Sequence, residues 1–136
     1  MLYAMVGDGH DSSNAQDLSH NNRGKVLRMT PNGRVPSDNP FANKLIFGYG
    51  NRNSFGFTFD PTTHKLWETE NGPSCNDEIN LLMVGHNYGW GTNQSCGSAT
   101  PPRDTNNSGP NPRTMPKVFF RATLGITGGL AQAVHR

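Results

Sequence analysis

The sequence predicts an all-β chain of short strands joined by long loops, and three observations carry that expectation. Gly (16) and Pro (10) make up about 19% of the 136 residues, while only 32% are hydrophobic; ordinary domains hold ~12% Gly plus Pro. The apolar and aromatic residues gather in short runs that alternate with period two, as half-buried strands do. No helical period persists beyond about two turns. A chain of this length is one domain or a piece of one.

Taken in order, the first strand falls at 2–6, apolar and aromatic, and closes on Gly7-Asp8-Gly9. A long polar loop over 8–24 follows, then a strand at 25–29 that ends at the turn Pro31-Asn32-Gly33. Further strands are predicted at 45–49, 55–59 and 65–69. The last two form a hairpin, because Asp60-Pro61-Thr62-Thr63 reverses the chain between them. A strand at 79–83 ends before the turn Asn87-Tyr88-Gly89. After a second long loop, 91–116, comes a strand at 117–121. Residues 124–134 fit more than one conformation.

Several function classes are set aside by composition. The net charge is +2, with cations scattered singly among acids and no basic stripe interleaved with aromatics, so no nucleic-acid partner is expected. No apolar run approaches the ~20 residues of a membrane span. Met1–Val6 lacks the basic region of a secretion signal and reads as a strand already under way. Cys75 and Cys96 are the only cysteines, too few for a zinc cage. They are either one disulfide in an oxidising compartment or two free thiols.

An internal echo organises the strands. Leu2-Tyr3-Ala4-Met5-Val6-Gly7-Asp8-Gly9 resembles Leu66-Trp67-Glu68-Thr69-Glu70-Asn71-Gly72: apolar, aromatic, alternating, then a Gly-containing loop. Repeats of short strands at ~40–50 residues suggest the blades of a β-propeller. The spacing from Leu2 to Leu66 is larger, 64 positions, and the loop 8–24 accounts for the excess. The length holds roughly three blades, fewer than the 4–8 that close a propeller. The expectation is therefore one partial propeller over 1–136, a fragment of a longer chain.

The candidate site lies at one end of the hairpin. Arg52 offers a planar five-donor fork and Asn53 a donor and an acceptor, suited to a flat, oxygen-rich anion. Gly72-Pro73 can turn carbonyl oxygens outward toward a hard cation such as calcium. The plainer readings are that Arg52 pairs with Glu70 or Asp60 across the hairpin, and that Gly72-Pro73 is an ordinary turn beside the solvated acids Asp77 and Glu78. Trp67 and Trp90 read as packing residues. None of the five histidines has a neighbour that marks it as a general base.

Five motifs in register add a resemblance: Gly24-Lys25-Val26-Leu27-Arg28-Met29 with Val35-Pro36-Ser37-Asp38-Asn39-Pro40-Phe41, Tyr49-Gly50-Asn51-Arg52-Asn53, Glu70-Asn71-Gly72-Pro73, Asn76-Asp77-Glu78-Ile79-Asn80 and Asn87-Tyr88-Gly89-Trp90. Together they closely resemble the soluble glucose/sorbosone dehydrogenase family, six-bladed propellers that oxidise sugars with pyrroloquinoline quinone (PQQ) and calcium. The likeness is strongest over 1–92. It implies that Arg52 and Asn53 contact the quinone, where a guanidinium suits developing negative charge, and that Asn71 is a polar neighbour of the cofactor. It implies calcium on the Gly72 and Pro73 carbonyls, and a second, structural calcium near Glu78 and the Tyr88 backbone. Asp8 matches the acid that orients the catalytic histidine.

That histidine belongs to an earlier blade in the family, and the cations that grip the far carboxylates of PQQ belong to later ones. The resemblance thus implies a sugar substrate, a periplasmic or secreted location and a possible homodimer for the full-length parent. It implies an inactive isolated chain. The competing expectation is a non-catalytic propeller of the same superfamily that serves as a protein-binding module.

Overall fold

The computed structural model describes residues 1–92, 96 and 114–128. They form two antiparallel sheets. The first has the order β1-β2-β3, from β1 (Leu2–Val6), β2 (Lys25–Met29) and β3 (Ile46–Tyr49). The second has the order β4-β5-β6-β7, from β4 (Ser54–Phe59), β5 (Leu66–Glu70), β6 (Asp77–Leu82) and β7 (Val118–Phe120). All seven predicted strands are present and pair antiparallel with one another, while Tyr49 at the end of β3 makes an isolated parallel bridge to Asn87. The roughly three blades' worth of residues fill two sheets among those described, because the loops on either side of β2 take up much of the chain.

Period-two alternation sends successive side chains of β2 to opposite faces. Val26 joins Phe47, Leu66, Leu82 and Tyr88 in a cluster drawn from both sheets, with Tyr3 and Met5 packed against it. Tyr3 meets Phe47 and Phe59 edge-on, at centroid distances of 5.3 and 5.4 Å. Leu27 lies in a second cluster with Ile46 and Tyr49, covered by Leu18, Phe41 and Leu45 from the loops. Burying each such side chain stabilises the fold by ~1.5–3 kcal/mol.

Three details go beyond the sequence expectation. The loop 8–24 contains a one-turn helix, α1 (Ser13–Gln16), too short to show a period. Its carbonyls are held by Lys25, whose fully buried Nζ donates to the oxygens of Asn14 (2.6 Å), Ala15 (3.1 Å) and Arg23 (2.6 Å). Burial lowers that ammonium's pKa to about 8. Second, β6 begins at Asp77, so Asp77 and Glu78 are buried strand residues rather than solvated loop acids. A strand end that buries charge looks like a loop to any reading based on hydrophobicity.

Third, the cysteine question is resolved. Cys75 and Cys96 are bonded, with Cα atoms 5.7 Å apart and a sequence separation of 21. Closing a loop of that size constrains the unfolded chain by ~3 kcal/mol. Most of the loop predicted at 91–116, and the end of the segment 124–134, lie outside the described residues. Among the described residues no helix is long and apolar enough to cross a membrane.

Candidate functional site

The β4–β5 hairpin brings the two halves of the site together. Arg52 precedes β4 and Asn71-Gly72 follow β5, and the Arg52 Nη1 donates to the Asn71 and Gly72 carbonyl oxygens at 2.9 Å each. The Arg52 backbone is fixed on both sides: its N–H donates to Glu70 Oε1 (2.9 Å) and its carbonyl accepts from the Asp8 N–H (2.9 Å). The Asn71 N–H donates to the Asn53 carbonyl at 3.0 Å. Asp8, Arg52, Asn53, Asn71 and Gly72 therefore share one end of the hairpin. Arg52 does not use Asp60, whose carboxylate caps the far turn through the Thr62 and Thr63 N–H groups at 2.8 and 3.0 Å. Glu70 does meet Arg52, but at the backbone.

Trp90 supports this arrangement in a way the sequence did not show. The Arg52 guanidinium carbon lies 5.4 Å from the centre of the Trp90 ring, within cation–π range. The Trp90 indole Nε1 donates to Asp8 Oδ2 at 2.8 Å, and Asp8 Oδ1 accepts from the His10 backbone N–H at 3.0 Å. Asp8 thus anchors Trp90, and Trp90 faces Arg52. Among the described residues no histidine side chain hydrogen-bonds to Asp8; His20 pairs with Asp17, and His86 Nδ1 lies 2.7 Å from Thr114 Oγ1.

The turn after β5 is built for close approach. The Gly72 N–H donates to Asp77 Oδ1 (2.9 Å), while Asp77 Oδ2 accepts from the Leu124 and Gly125 N–H groups at 2.7 and 2.8 Å. A Cβ at Gly72 would overlap the Cys75 carbonyl oxygen, so only glycine fits. The turn leaves two carbonyl oxygens converging on one positive group. Asn71 also has its side-chain Oδ1 buried with no hydrogen-bond partner. Such an all-oxygen set suits a hard cation. It is the Asn71 carbonyl that accompanies Gly72 on the guanidinium, while Pro73 is exposed.

Behind the turn lies a buried acidic network. Glu68 and Glu70 share the strand parity of Leu66. Across the ladder they oppose Asn80 and Glu78, as Leu66 opposes Leu82. One face of the sheet thus runs from apolar to acidic toward Arg52. Asn51 Nδ2 donates to Glu68 Oε1 (2.7 Å) and Glu70 Oε2 (2.9 Å), Ser54 Oγ donates to Glu68 Oε2 (2.6 Å), and Asn80 Nδ2 reaches Glu68 (3.3 Å) and Glu78 (3.2 Å). The Oδ1 atoms of Asn51 and Asn80 are buried without partners.

Burial pushes all three carboxyls up. Glu70 rises to about 7. Glu78 rises to about 8, helped by the charge of Glu70. Glu68 lies well above the usual carboxylate range, with Glu70 again adding to the effect of burial. Parity with Leu66 was the signal in the sequence that could have found Glu68 and Glu70. Tyr88 packs its ring in the core, donating its hydroxyl to the Leu81 carbonyl (3.0 Å) and accepting from the Met83 N–H (2.7 Å). Its side chain is structural, and only its backbone is available for a ligand role.

Comparison with known proteins gives the site its context. The sequence matches the Glucose / Sorbosone dehydrogenase family over residues 1–131. It is 40% identical over 94 residues to Aldose sugar dehydrogenase YliI of Escherichia coli (strain K12), covering 65% of this chain and 25% of that one. It is 46% identical over 74 residues to Quinoprotein glucose dehydrogenase B of Acinetobacter calcoaceticus, covering 52% of this chain and 15% of that one. Among solved structures, the apo-form of the soluble Aldose sugar dehydrogenase (Asd) from Escherichia coli superposes with a TM-score of 0.76 at 30% identity, over 93% of this chain and 38% of that one. The PQQ-bound form of Aldose Sugar Dehydrogenase from Streptomyces coelicolor gives a TM-score of 0.68 at 29% identity, over 88% and 32%. The chain spans a quarter or less of these two curated relatives, and its two sheets are part of a β-propeller. The chain belongs to the glucose/sorbosone dehydrogenase family.

Proposed function

We propose that this chain carries the part of a sugar dehydrogenase site that holds one edge of PQQ and its calcium. The observation that carries the reading is the convergence of the Arg52 guanidinium with the Asn71 and Gly72 carbonyls at 2.9 Å, at the end of the hairpin that also presents Asn53. Arg52 and Asn53 would hold the quinone edge, with Asn71 beside it, and the Gly72 and Pro73 carbonyls would hold calcium. Glu78 and the Tyr88 backbone would serve a second, structural calcium. PQQ, when bound, supplies a two-electron acceptor for hydride from a sugar C–H.

The residues of this chain position and stabilise. Glu70 and Asp8 fix the Arg52 backbone, Trp90 lies against its guanidinium, and the planar fork offers two-point contact to anionic oxygens. Asp8 retains acceptor capacity to orient a histidine supplied by the rest of the parent. The parent is proposed to act on a sugar, to be periplasmic or secreted and to form a homodimer. The isolated chain is proposed to be inactive, since a missing general base commonly lowers rate by ~10²–10⁴.

Adding PQQ to the chain is expected to give saturable, calcium-dependent binding that a chelator abolishes, with no aldose-dependent dye reduction above a protein-free control. Absence of calcium-dependent binding would remove the cofactor reading. Clear dye reduction would refute the inactivity of the isolated chain.

A further inference from the structure

The Arg52 side chain sits where a cation belonging to the Gly72 turn would sit. Its Nη1 donates to the Asn71 and Gly72 oxygens together, at 2.9 Å each. Calcium binds oxygen at ~2.3–2.6 Å. A calcium ion on the Gly72 carbonyl would have the guanidinium on the same oxygen, like charge beside like charge. Like charges on one carbonyl repel, so the two cations compete for the Gly72 oxygen.

We infer that the Gly72 turn forms one cation cradle that Arg52 and calcium occupy in turn, the guanidinium on the Asn71 and Gly72 carbonyls and calcium on those of Gly72 and Pro73, so that calcium binding releases the Arg52 side chain for an anionic ligand. The inference rests on the proposed calcium reading and deepens it. Three features make the exchange local. The Arg52 backbone stays pinned by Glu70 and Asp8, so only the side chain has to move. The Trp90 ring already lies 5.4 Å from the guanidinium carbon and offers it a face once the carbonyls are taken. Asn71 also carries a buried side-chain Oδ1 with no hydrogen-bond partner, a further hard oxygen on the residue that leads into the turn. The consequence is an order of loading: metal first, then the flat anion that Arg52 grips.

Terbium, a hard oxygen-seeking probe, tests this without any enzymatic assay, because Trp90 stands close enough to sensitise emission from an ion in the cradle. Arg52→Met removes the internal competitor, and its sensitised titration midpoint should fall roughly tenfold below that of the wild-type chain, the loss of two charge-assisted hydrogen bonds being the source. Calcium should reverse the emission in both. Equal midpoints would overturn the exchange while leaving the metal site standing. No sensitised emission from either chain would overturn the calcium reading, and the inference with it. If Arg52→Met melts below the working temperature, Arg52→Gln, which is neutral but polar, is read by the same criterion.

Discussion

In the presence of a chelator, the chain is expected to lose stability as pH rises from about 5 to about 7.5. Most folded proteins hold or gain stability over that range, as paired carboxylates ionise. Here the buried carboxyls act in the opposite sense. Glu70 and Glu78 are held up to about 7 and about 8, and Glu68 also lies well above its ordinary value. In the unfolded chain these groups ionise near 4.5. Between the unfolded and folded values the native state binds more protons than the unfolded state, so the free energy of unfolding falls as pH rises. The stabilisation is complete below the unfolded value and is lost as pH passes through the folded values. A carboxyl held one pH unit above its ordinary value shifts stability by ~1.4 kcal/mol, enough to move a midpoint by several degrees. Lys25, lowered to about 8, acts only above that pH and with the opposite sign. Thermal melts across the range check the expectation. A midpoint that is flat or rises with pH would contradict it.

Gly72→Ala is expected to be the most damaging single methyl addition in the site. The added Cβ has no space, because it would overlap the Cys75 carbonyl oxygen, a backbone atom in a turn tied by a disulfide. The turn is also held at the Gly72 N–H by Asp77, which in turn holds the Leu124 and Gly125 N–H groups. Relief would require moving one of these anchors, and overpacking of this kind costs on the order of 3 kcal/mol. The same shift would part the two carbonyls that converge on Arg52. A melt lowered by many degrees, together with loss of sensitised terbium emission, is the expected pair of results. A variant with unchanged melting would show that the turn is softer than its contacts indicate.

Much of this arrangement could be read in the sequence, and the unread parts have specific physical causes. The hairpin followed from alternation at Phe55, Phe57 and Phe59 and from the turn at Asp60-Pro61, and it correctly placed Arg52 and Gly72 at one end. The side-chain partner of Arg52 was not readable, because backbone carbonyls leave no mark in a sequence and the visible candidates were acids. Asp77 and Glu78 read as loop residues because charge argues against burial, yet hydrogen bonds from the turn and from Asn80 hold them inside. Lys25 shows the same principle, a buried ammonium satisfied by three carbonyls that no residue type reveals. Trp90 read as packing, and its contact with Arg52 depends on Asp8, far away in sequence.

Arg52 is proposed as the grip on the quinone edge rather than a hairpin brace. Lysine preserves the charge but loses the planar fork. PQQ titrations of the wild-type chain and of Arg52→Lys, both with saturating calcium and each paired with a thermal melt, separate the two roles. At least ~10-fold weaker PQQ binding is expected for Arg52→Lys, with stability changed by under ~1 kcal/mol. Unchanged PQQ affinity beside a lowered melt would contradict it and make Arg52 a structural residue.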